Sequence, residues 1–243
     1  MLSTTVRDHW FGAVPEHDLP STPGDLRVAV DDALPRTRRV MVLEPIGSGG
    51  IVTATSEEAG RIGLVAGATI DRTALADALA AAGVALNGAD ALWYLGIEEQ
   101  EAVRREHASR EDADGIVVRR LGTDDADLFR AFEAAAPESD LDEAFVELDH
   151  WLVVGALVDG RLACAASAYP WSGTTLADLG VITLPERRGR GLARRTVRAL
   201  AAHALDLGHE PQYRCQLDNA ASMALAASAG LERFATWDVV AED

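Results

Sequence analysis

The chain has 243 residues, 48% of them hydrophobic, and a net charge of -17, which suits one large or two small domains with a proper core. All of its 22 basic residues are arginines, and neither half of the chain is basic, so nucleic acid is not an expected partner. No apolar run approaches the roughly 20 residues of a membrane span, and the first residues lack the apolar core of a signal peptide, so we expect a cytoplasmic protein without a membrane partner.

The first part of the chain, residues 1–114, predicts a small α/β domain. Strands are expected over residues 38–43 and 51–56, and the glycine-rich turn 47–50 between them opens no helix. That turn is therefore interpreted as a hairpin loop and not as a phosphate site. Helices are expected near residues 71–82 and 98–108.

A charged stretch at residues 111–115 predicts a domain boundary, so that a second domain covers residues 115–243. Its first elements are a strand and two helices, and they are followed by two strands that the Asp159-Gly160 pair joins as a hairpin. In chain order, the ranges are 116–119 for the strand, 124–135 and 141–148 for the helices, and 151–158 and 162–168 for the paired strands.

The strand expected at residues 177–183 ends in a glycine-bearing loop that turns directly into a long helix. Gly189 and Gly191 let the backbone approach a ligand closely or take positive φ. Unpaired N–H groups and the positive end of the helix dipole then point at one spot, where an anion binds. The loop lacks the lysine of a P-loop and the third glycine of a Rossmann fingerprint. Six arginines of the loop and helix add positive charge: Arg187, Arg188, Arg190, Arg194, Arg195 and Arg198.

The helix after this loop shows apolar positions at spacings of three and four, and we expect them to form one core stripe: Ala193, Val197, Leu200, Ala204 and Leu207. Arg194 and Arg198 lie on a different face and are predicted to point to solvent. Gly208 ends the helix as a C′ glycine. A strand at 212–217, a helix after Asn219 and a closing strand at 234–240 complete the chain.

Two segments resemble motifs of the GNAT acetyltransferase superfamily. Residues 188–193, Arg-Gly-Arg-Gly-Leu-Ala, resemble its acyl-CoA loop R/Q-x-x-G-x-G/A, and residues 219–231 resemble its Asn-x-x-Ser/Ala-x-x-Leu-Tyr segment. The resemblance covers about half the chain, roughly residues 115–240. It implies a GNAT fold with a mixed sheet, preceded by the smaller N-terminal α/β domain, and the predicted element order β-α-α-β-β-β-α-β-α-β agrees with it.

The resemblance implies direct transfer of an acetyl group from acetyl-CoA, or another acyl-CoA, to an amine of a small molecule, with no metal. The strand before the loop is expected to hold the pantetheine arm along its backbone and to polarise the thioester carbonyl. Asn219 is also a candidate helix cap. The expected cofactor contacts are Val181, Ile182, Thr183, Arg187, Arg188, Gly189, Arg190, Gly191, Leu192, Ala193, Asn219 and Ser222.

For catalysis, Asp178 is the carboxylate best placed to act as general base, with a structural hydrogen bond as its alternative role; Glu147 and His150 are further candidates. Ala226 stands where many family members carry the tyrosine that protonates the thiolate. Tyr213 is our candidate for that acid, and Tyr169, Ser222 or water could replace it. The loss of this tyrosine motivates a second hypothesis, a non-catalytic CoA-binding sensor or interaction protein.

An excess of acidic residues over 124–149 borders the expected acceptor site, where it would attract a cationic amine unless it is only a solvated helix face. The N-terminal domain could cover the acceptor side of the cleft, form a homodimer or be a degenerate second GNAT-like fold. Cys164 and Cys215 are expected to be buried thiols within strands rather than a disulfide.

Overall fold

A computed structural model describes residues 1–108, 115–171 and 173–241, and these residues form a mixed α/β protein, as predicted. They group into two compact units, each discontinuous in sequence. The cradle unit comprises Met1–Val6, Trp93–Arg214 and Ala221–Glu232, and the N-terminal unit comprises Arg7–Leu92, Cys215–Ala220 and Arg233–Asp243. Residues 111–114 of the predicted boundary lie outside the described residues, and a division at 114/115 stays a prediction.

The elements of residues 1–108 alternate between short strands and helices. In chain order they are α1 (Thr4–Phe11), β1 (Asp25–Val30), β2 (Val40–Pro45), β3 (Gly50–Ala54), α2 (Ser56–Ile62), β4 (Thr69–Asp71), α3 (Arg72–Ala81), β5 (Asp90–Leu95) and α4 (Ile97–Ala108).

The elements of residues 115–241 follow the predicted order. They are β6 (Ile116–Arg120), α5 (Ala126–Glu133), α6 (Glu138–Ala144), β7 (Leu152–Val158), β8 (Arg161–Pro170), β9 (Leu176–Thr183), α7 (Leu192–Asp206), β10 (Glu210–Gln216), α8 (Ala220–Ser228) and β11 (Leu231–Val239).

The sheet of the N-terminal unit has the strand order β4-β1-β3-β2-β11. β1 and β3 are parallel and the other neighbours are antiparallel, which confirms the predicted hairpin of β2 and β3. The strand predicted at 51–56 is shorter, because the Thr55 side chain accepts a hydrogen bond from the Glu58 N–H and caps α2. The last strand of the chain, β11, pairs with β2 from Ala235 opposite Pro45 to Val239 opposite Met41.

The strands of the cradle unit follow the order β5-β10-β9-β8-β7-β6. β9 and β10 are parallel, whereas β6, β7, β8 and β9 pair in antiparallel fashion. The predicted turn between β7 and β8 is confirmed: Asp159 and Gly160 have φ of 51° and 75°, as a type I′ hairpin requires.

Three predictions about helices are wrong, and one of them is the core position of Leu207, which is 48% exposed at the end of α7. The helix predicted at 141–148 runs instead from Glu138 to Ala144 and ends where Phe145 takes a left-handed conformation with φ of 47°. The solvent-facing position predicted for Arg198 is also wrong, because its side chain is buried and donates to Glu99 at 2.5 Å, to Glu106 at 2.6 Å and to the carbonyl of Ala229. Glu99 and Glu106 belong to α4, so Arg198 ties α4 to α7.

Both cysteines are buried within strands, as predicted. Burial raises the pKa of the Cys164 thiol to about 11, so it is not a nucleophile at neutral pH. Within the described ranges, no helix is both long and apolar enough to cross a membrane, and no group of three or more His, Cys, Asp or Glu side chains could hold a metal ion.

Candidate functional site

Strand β9 separates from its parallel neighbour halfway along its length. β10 pairs with β9 only from Glu210 opposite Leu176 to Tyr213 opposite Leu179. On its other edge, β9 stays paired with β8 from Ala177 through Thr183. Residues 180–183 therefore leave one backbone edge unpaired by β10 in the described register. Val181, Ile182 and Thr183, which the sequence predicts as pantetheine contacts, lie on this stretch.

The predicted anion cradle follows β9 directly. Gly189 and Gly191 both take positive φ, 73° and 72°, and neither has a neighbouring atom within 4 Å of where a Cβ would lie. Gly191 is the N-cap of α7 and has no side chain to bond the first N–H groups of the helix. The N–H of Arg195 donates to the carbonyl of Gly191, which is the first hydrogen bond of α7. No hydrogen bond within the described residues uses the N–H groups of Leu192 and Ala193, which leaves them available to an anion.

The three arginines of the cradle loop are placed differently. Arg188 donates through Nε to the Thr183 carbonyl at 3.1 Å and pairs with the carboxylate of Asp140 on α6. It therefore fixes the loop to the end of β9 and to α6. Arg190 is exposed and Arg187 is half-buried, and both belong to the loop that precedes α7.

The two side chains predicted as base and acid lie on opposite faces of the sheet. Ile182 of β9 packs with the core under α5 and α6, whereas Val181 packs with Leu192 and Ala193 of α7. By the two-residue alternation of a strand, Asp178 shares the face of Ile182. Tyr213 is the register partner of Leu179, one residue on, and so shares the face of Val181. The structure does not bring Asp178 and Tyr213 together.

Asp178 is 5% exposed and sits in a saturated polar network. Its two carboxylate oxygens accept hydrogen bonds from Arg214 Nε and Nη2, at 3.0 and 2.7 Å, and from Gln212 Nε2 at 3.1 Å. Tyr169 donates to it from its hydroxyl at 3.3 Å. Gln212 in turn accepts from the Tyr94 hydroxyl. Each of these neighbours donates to the carboxylate, so both of its oxygens are already occupied as acceptors.

Helix α6 ends directly against β9. A Cβ added to Gly180 would collide with the carbonyl oxygen of Ala144 and would lie 3.0 Å from its carbonyl carbon. Only glycine lets these two backbones approach so closely. The contact places Phe145, the next residue, beside the point where β9 leaves β10.

Three aromatic rings meet at the end of α6. The Phe145 ring centroid lies 4.9 Å from that of His150 and 5.7 Å from that of Tyr169, and the His150 and Tyr169 centroids are 5.1 Å apart. Phe145 is 52% exposed despite this packing. We call these three residues the aromatic cluster. Burial and the nearby Asp178 carboxylate raise the pKa of the Tyr169 hydroxyl, which keeps it protonated as a donor.

His150 is held from both sides. Its Nδ1 lies 2.7 Å from the hydroxyl oxygen of Ser167, which is 1% exposed. Its Nε2 lies 3.6 Å from Oε2 of Glu147, whose side chain is 50% exposed. The imidazole thus lies between a buried hydroxyl and a carboxylate, and these two groups orient the ring.

The remaining predicted residues lie around α8. Asn219 is half-buried and immediately precedes the helix, and Ser222 is half-buried in its first turn. Ala226, which stands where many family members have tyrosine, is fully buried. No tyrosine is available on α8 to protonate a thiolate, since its sequence contains none.

Gly180, Arg214 and Phe145 are site residues that the sequence analysis missed. Arg214 and Asp178 are 36 positions apart, and only the strand register pairs them. A signal for Gly180 was present, because a lone glycine inside a strand pattern often marks a close backbone approach. Nothing local in the sequence indicated the left-handed backbone of Phe145.

Part of the chain is similar to known proteins. The model of the acetyltransferase (GNAT) family matches residues 125–231. A solved GNAT-family protein from Novosphingobium aromaticivorans is 25% identical, with a TM-score of 0.44 over 66% of this chain and 68% of that one. A GNAT-family acetyltransferase from Colwellia psychrerythraea is 20% identical, with a TM-score of 0.45 over 65% of this chain and 57% of that one.

A third solved structure, from Salmonella typhimurium, holds its cofactor acetyl-CoA; it is 18% identical, with a TM-score of 0.40 over 53% of this chain and 94% of that one. The match covers 57% of the Colwellia protein, which is less than two thirds of its length. No curated protein matches the chain. Residues 125–231 form a domain of the acetyltransferase (GNAT) family, in the C-terminal half of the chain as the sequence predicted.

Proposed function

We propose that this chain transfers an acetyl group from acetyl-CoA to the amine of a small molecule, in one step within a ternary complex. The observation that carries the proposal is the continuity of the unpaired β9 edge with the glycine cradle of α7. Together they offer backbone groups for an extended arm and N–H groups for a pyrophosphate. The sensor hypothesis is less favoured, because ionisable groups surround the end of α6 beside this edge.

In this proposal, the start of α7 with its loop and the end of β9 bind different parts of acetyl-CoA. The N–H groups of Leu192 and Ala193 would bind the pyrophosphate, with Arg187 and Arg190 adding charge. The backbone of residues 181–183 would hold the pantetheine arm, and one of its N–H groups would stabilise the oxyanion that forms at the thioester carbonyl. Acetyl-CoA, when bound, supplies the activated acyl group.

The proton of the attacking amine requires an acceptor. The amine nitrogen bonds to the thioester carbon, the carbon–sulfur bond breaks, and the amine proton passes to the His150 imidazole, with Glu147 pairing the imidazolium. The thiolate leaves with the electron pair of the broken bond and, with a pKa near 8.5, needs no protein acid. We favour His150 over Asp178 because both Asp178 oxygens already accept hydrogen bonds from fixed donors.

Replacing Gly191 by tryptophan tests the cradle. The side chain would fill the space in front of α7, so we expect acetyl-CoA and CoA affinity to fall more than about tenfold, equivalent to roughly 1.4 kcal/mol. Isothermal titration calorimetry measures both ligands. Gly63→Trp is the matched control, since Gly63 also has positive φ, 82°, with nothing within 4 Å, but lies in the N-terminal unit.

Thiol release over a panel of primary amines, run with the same proteins, separates the hypotheses. Cofactor binding that depends on Gly191, with thiol release for some amine, supports the transferase. Binding without release from any amine supports the sensor. If neither acetyl-CoA nor CoA binds the unaltered chain, both hypotheses fail.

Replacing His150 by glutamine tests the proton acceptor. We expect kcat to fall by about 10², while the acetyl-CoA dissociation constant is unchanged. Because the free amine replaces the lost base as pH rises, the rate of the variant should keep increasing with pH where the unaltered enzyme has reached its plateau. A pH–rate profile of kcat measures this. Equal profiles for both proteins would exclude His150 as the base.

A further inference from the structure

We propose that the aromatic cluster and Glu147 form the binding site for the acceptor, and that the acceptor is a cationic amine carried on an apolar group. The inference rests on the proposed function for its place in the reaction, and it adds the chemical class of the substrate. The cluster presents ring faces, a carboxylate and an imidazole at one end of α6.

The backbone conformation of Phe145 is unusual for its residue type. Phe145 holds a bulky side chain at a φ of 47°, in the left-handed region that such residues rarely adopt. The surrounding structure imposes it, because Ala144 is pressed against Gly180 on one side and Val146 is buried on the other. Strained positions of this kind concentrate at ligand sites. Here the strain leaves an aromatic ring half exposed.

The three rings of the aromatic cluster lie at steep angles to one another. Phe145 meets His150 edge to face, at an interplanar angle of 65°, and meets Tyr169 at 83°. Rings at such angles pack edge to face and do not form a parallel stack. An ammonium group or its attached methylenes bind well against aromatic faces, and the apolar surface of Phe145 suits the carbon skeleton of the amine.

The chain around the aromatic cluster is rich in acidic side chains. The segment around the cluster carries exposed carboxylates that form no ion pair with described residues: Glu138, Asp142, Glu143 and Asp149. Two guanidinium groups near the cluster are each paired with a carboxylate, Arg188 with Asp140 and Arg214 with Asp178. Among the described residues, the Glu147 carboxylate forms an ion pair only with the His150 ring, at 3.6 Å, and its side chain is 50% exposed. The local potential is therefore negative and selects a cation.

The aromatic cluster is positioned by its neighbours on β9. Tyr169 is the register partner of Asp178 on β9, and Phe145 follows the residue that contacts Gly180. The cluster thus lies beside the first residue of β9 beyond its pairing with β10. An ammonium ion held there is adjacent to the edge along which the thioester would lie. It first loses one proton to solvent to become the free amine that attacks, and the imidazole beside it would take the second proton as the amide forms.

Equilibrium binding of phenethylamine to the full chain, with CoA present, tests the inference without turnover. The neutral analogue 2-phenylethanol serves as the uncharged probe. We expect the amine to bind at least tenfold more tightly than the alcohol. Glu147→Gln should weaken amine binding about tenfold and leave alcohol binding unchanged. Glu101→Gln, an exposed charge removal on α4, is the control and should change neither.

Two substitutions of Phe145 distinguish the contribution of its aromatic ring to amine binding from any effect on stability. Phe145→Gly removes the ring and suits positive φ, so amine affinity should fall about fivefold or more while thermal stability is kept or raised. Phe145→Leu keeps apolar bulk without the aromatic face, and should weaken the amine about threefold, as loss of a partly exposed cation–π contact predicts. Calorimetry and thermal melts provide both readouts.

Several results overturn the inference while leaving the proposed function intact. They are equal affinity for amine and alcohol, binding indifferent to Glu147→Gln and Phe145→Gly, or no amine binding while acetyl-CoA still binds and thiol is released to another class of acceptor. Loss of acetyl-CoA binding by the unaltered chain would instead sink the proposed function. The two failures are distinguishable because cofactor and amine are titrated separately.

Discussion

Gly180→Ala is expected to lower the free energy of unfolding by about 3 kcal/mol, the upper range for overpacking a tight site. The added Cβ would collide with the carbonyl oxygen of Ala144, and a backbone atom cannot rotate away as a flexible side chain can. Either α6 or β9 must shift. Since unfolding free energies of this size move the melting temperature by roughly 6–12 °C in a chain of this length, thermal denaturation detects the effect easily.

Gly122→Ala is the matched control for this substitution. Gly122 has φ of -146°, which alanine adopts readily, and nothing lies within 4 Å of its would-be Cβ. We expect its stability to stay close to that of the unaltered chain. A Gly180→Ala protein as stable as the control would contradict the close contact of α6 with β9, and with it the position of the aromatic cluster.

Asp178→Ala is expected to cost about 3 kcal/mol of unfolding free energy, because it leaves the Arg214 guanidinium partly buried without its carboxylate. The side chains of Asp178 and Arg214 are only 8% and 25% exposed. Gln212, fully buried, would lose an acceptor at the same time. Urea denaturation of the single variants and of Asp178→Ala with Arg214→Met measures the coupling, and we expect the double variant to recover much of the loss.

This experiment also decides what Asp178 does. If Asp178 were the general base, Asp178→Asn would abolish turnover at nearly unchanged stability, and Arg214→Met would matter little. The saturated hydrogen bonding of the carboxylate predicts the opposite: stability falls with either substitution. Asp127→Ala is the control, since Asp127 and Arg130 form an exposed pair at 94% and 71% exposure, whose loss should change stability little.

The sequence was sufficient for the cradle because everything that forms it is local. The strand, the two glycines and the start of α7 lie within a short continuous segment, and backbone conformation and helix geometry alone direct the N–H groups outward. The same holds for the order of elements from β6 to β11 and for the turn at Asp159 and Gly160. Alternation and turn chemistry act over a few residues, so they can be interpreted without knowledge of distant contacts.

The tertiary structure alone decided which side chains share a site. Arg198 looks like a surface residue on its helix, yet Glu106 and Glu99 reach it from 92 and 99 positions away. Arg214 meets Asp178, and Ala144 meets Gly180, only because of strand register and the close packing of α6. Hydrophobic periodicity states which face of an element is buried but not which partner covers it. For that reason the sequence by itself determined the glycine loop before α7 and the resemblance of residues 125–231 to the GNAT family, and the tertiary structure decided the ion pairs, the close backbone contact and the packing of the aromatic cluster.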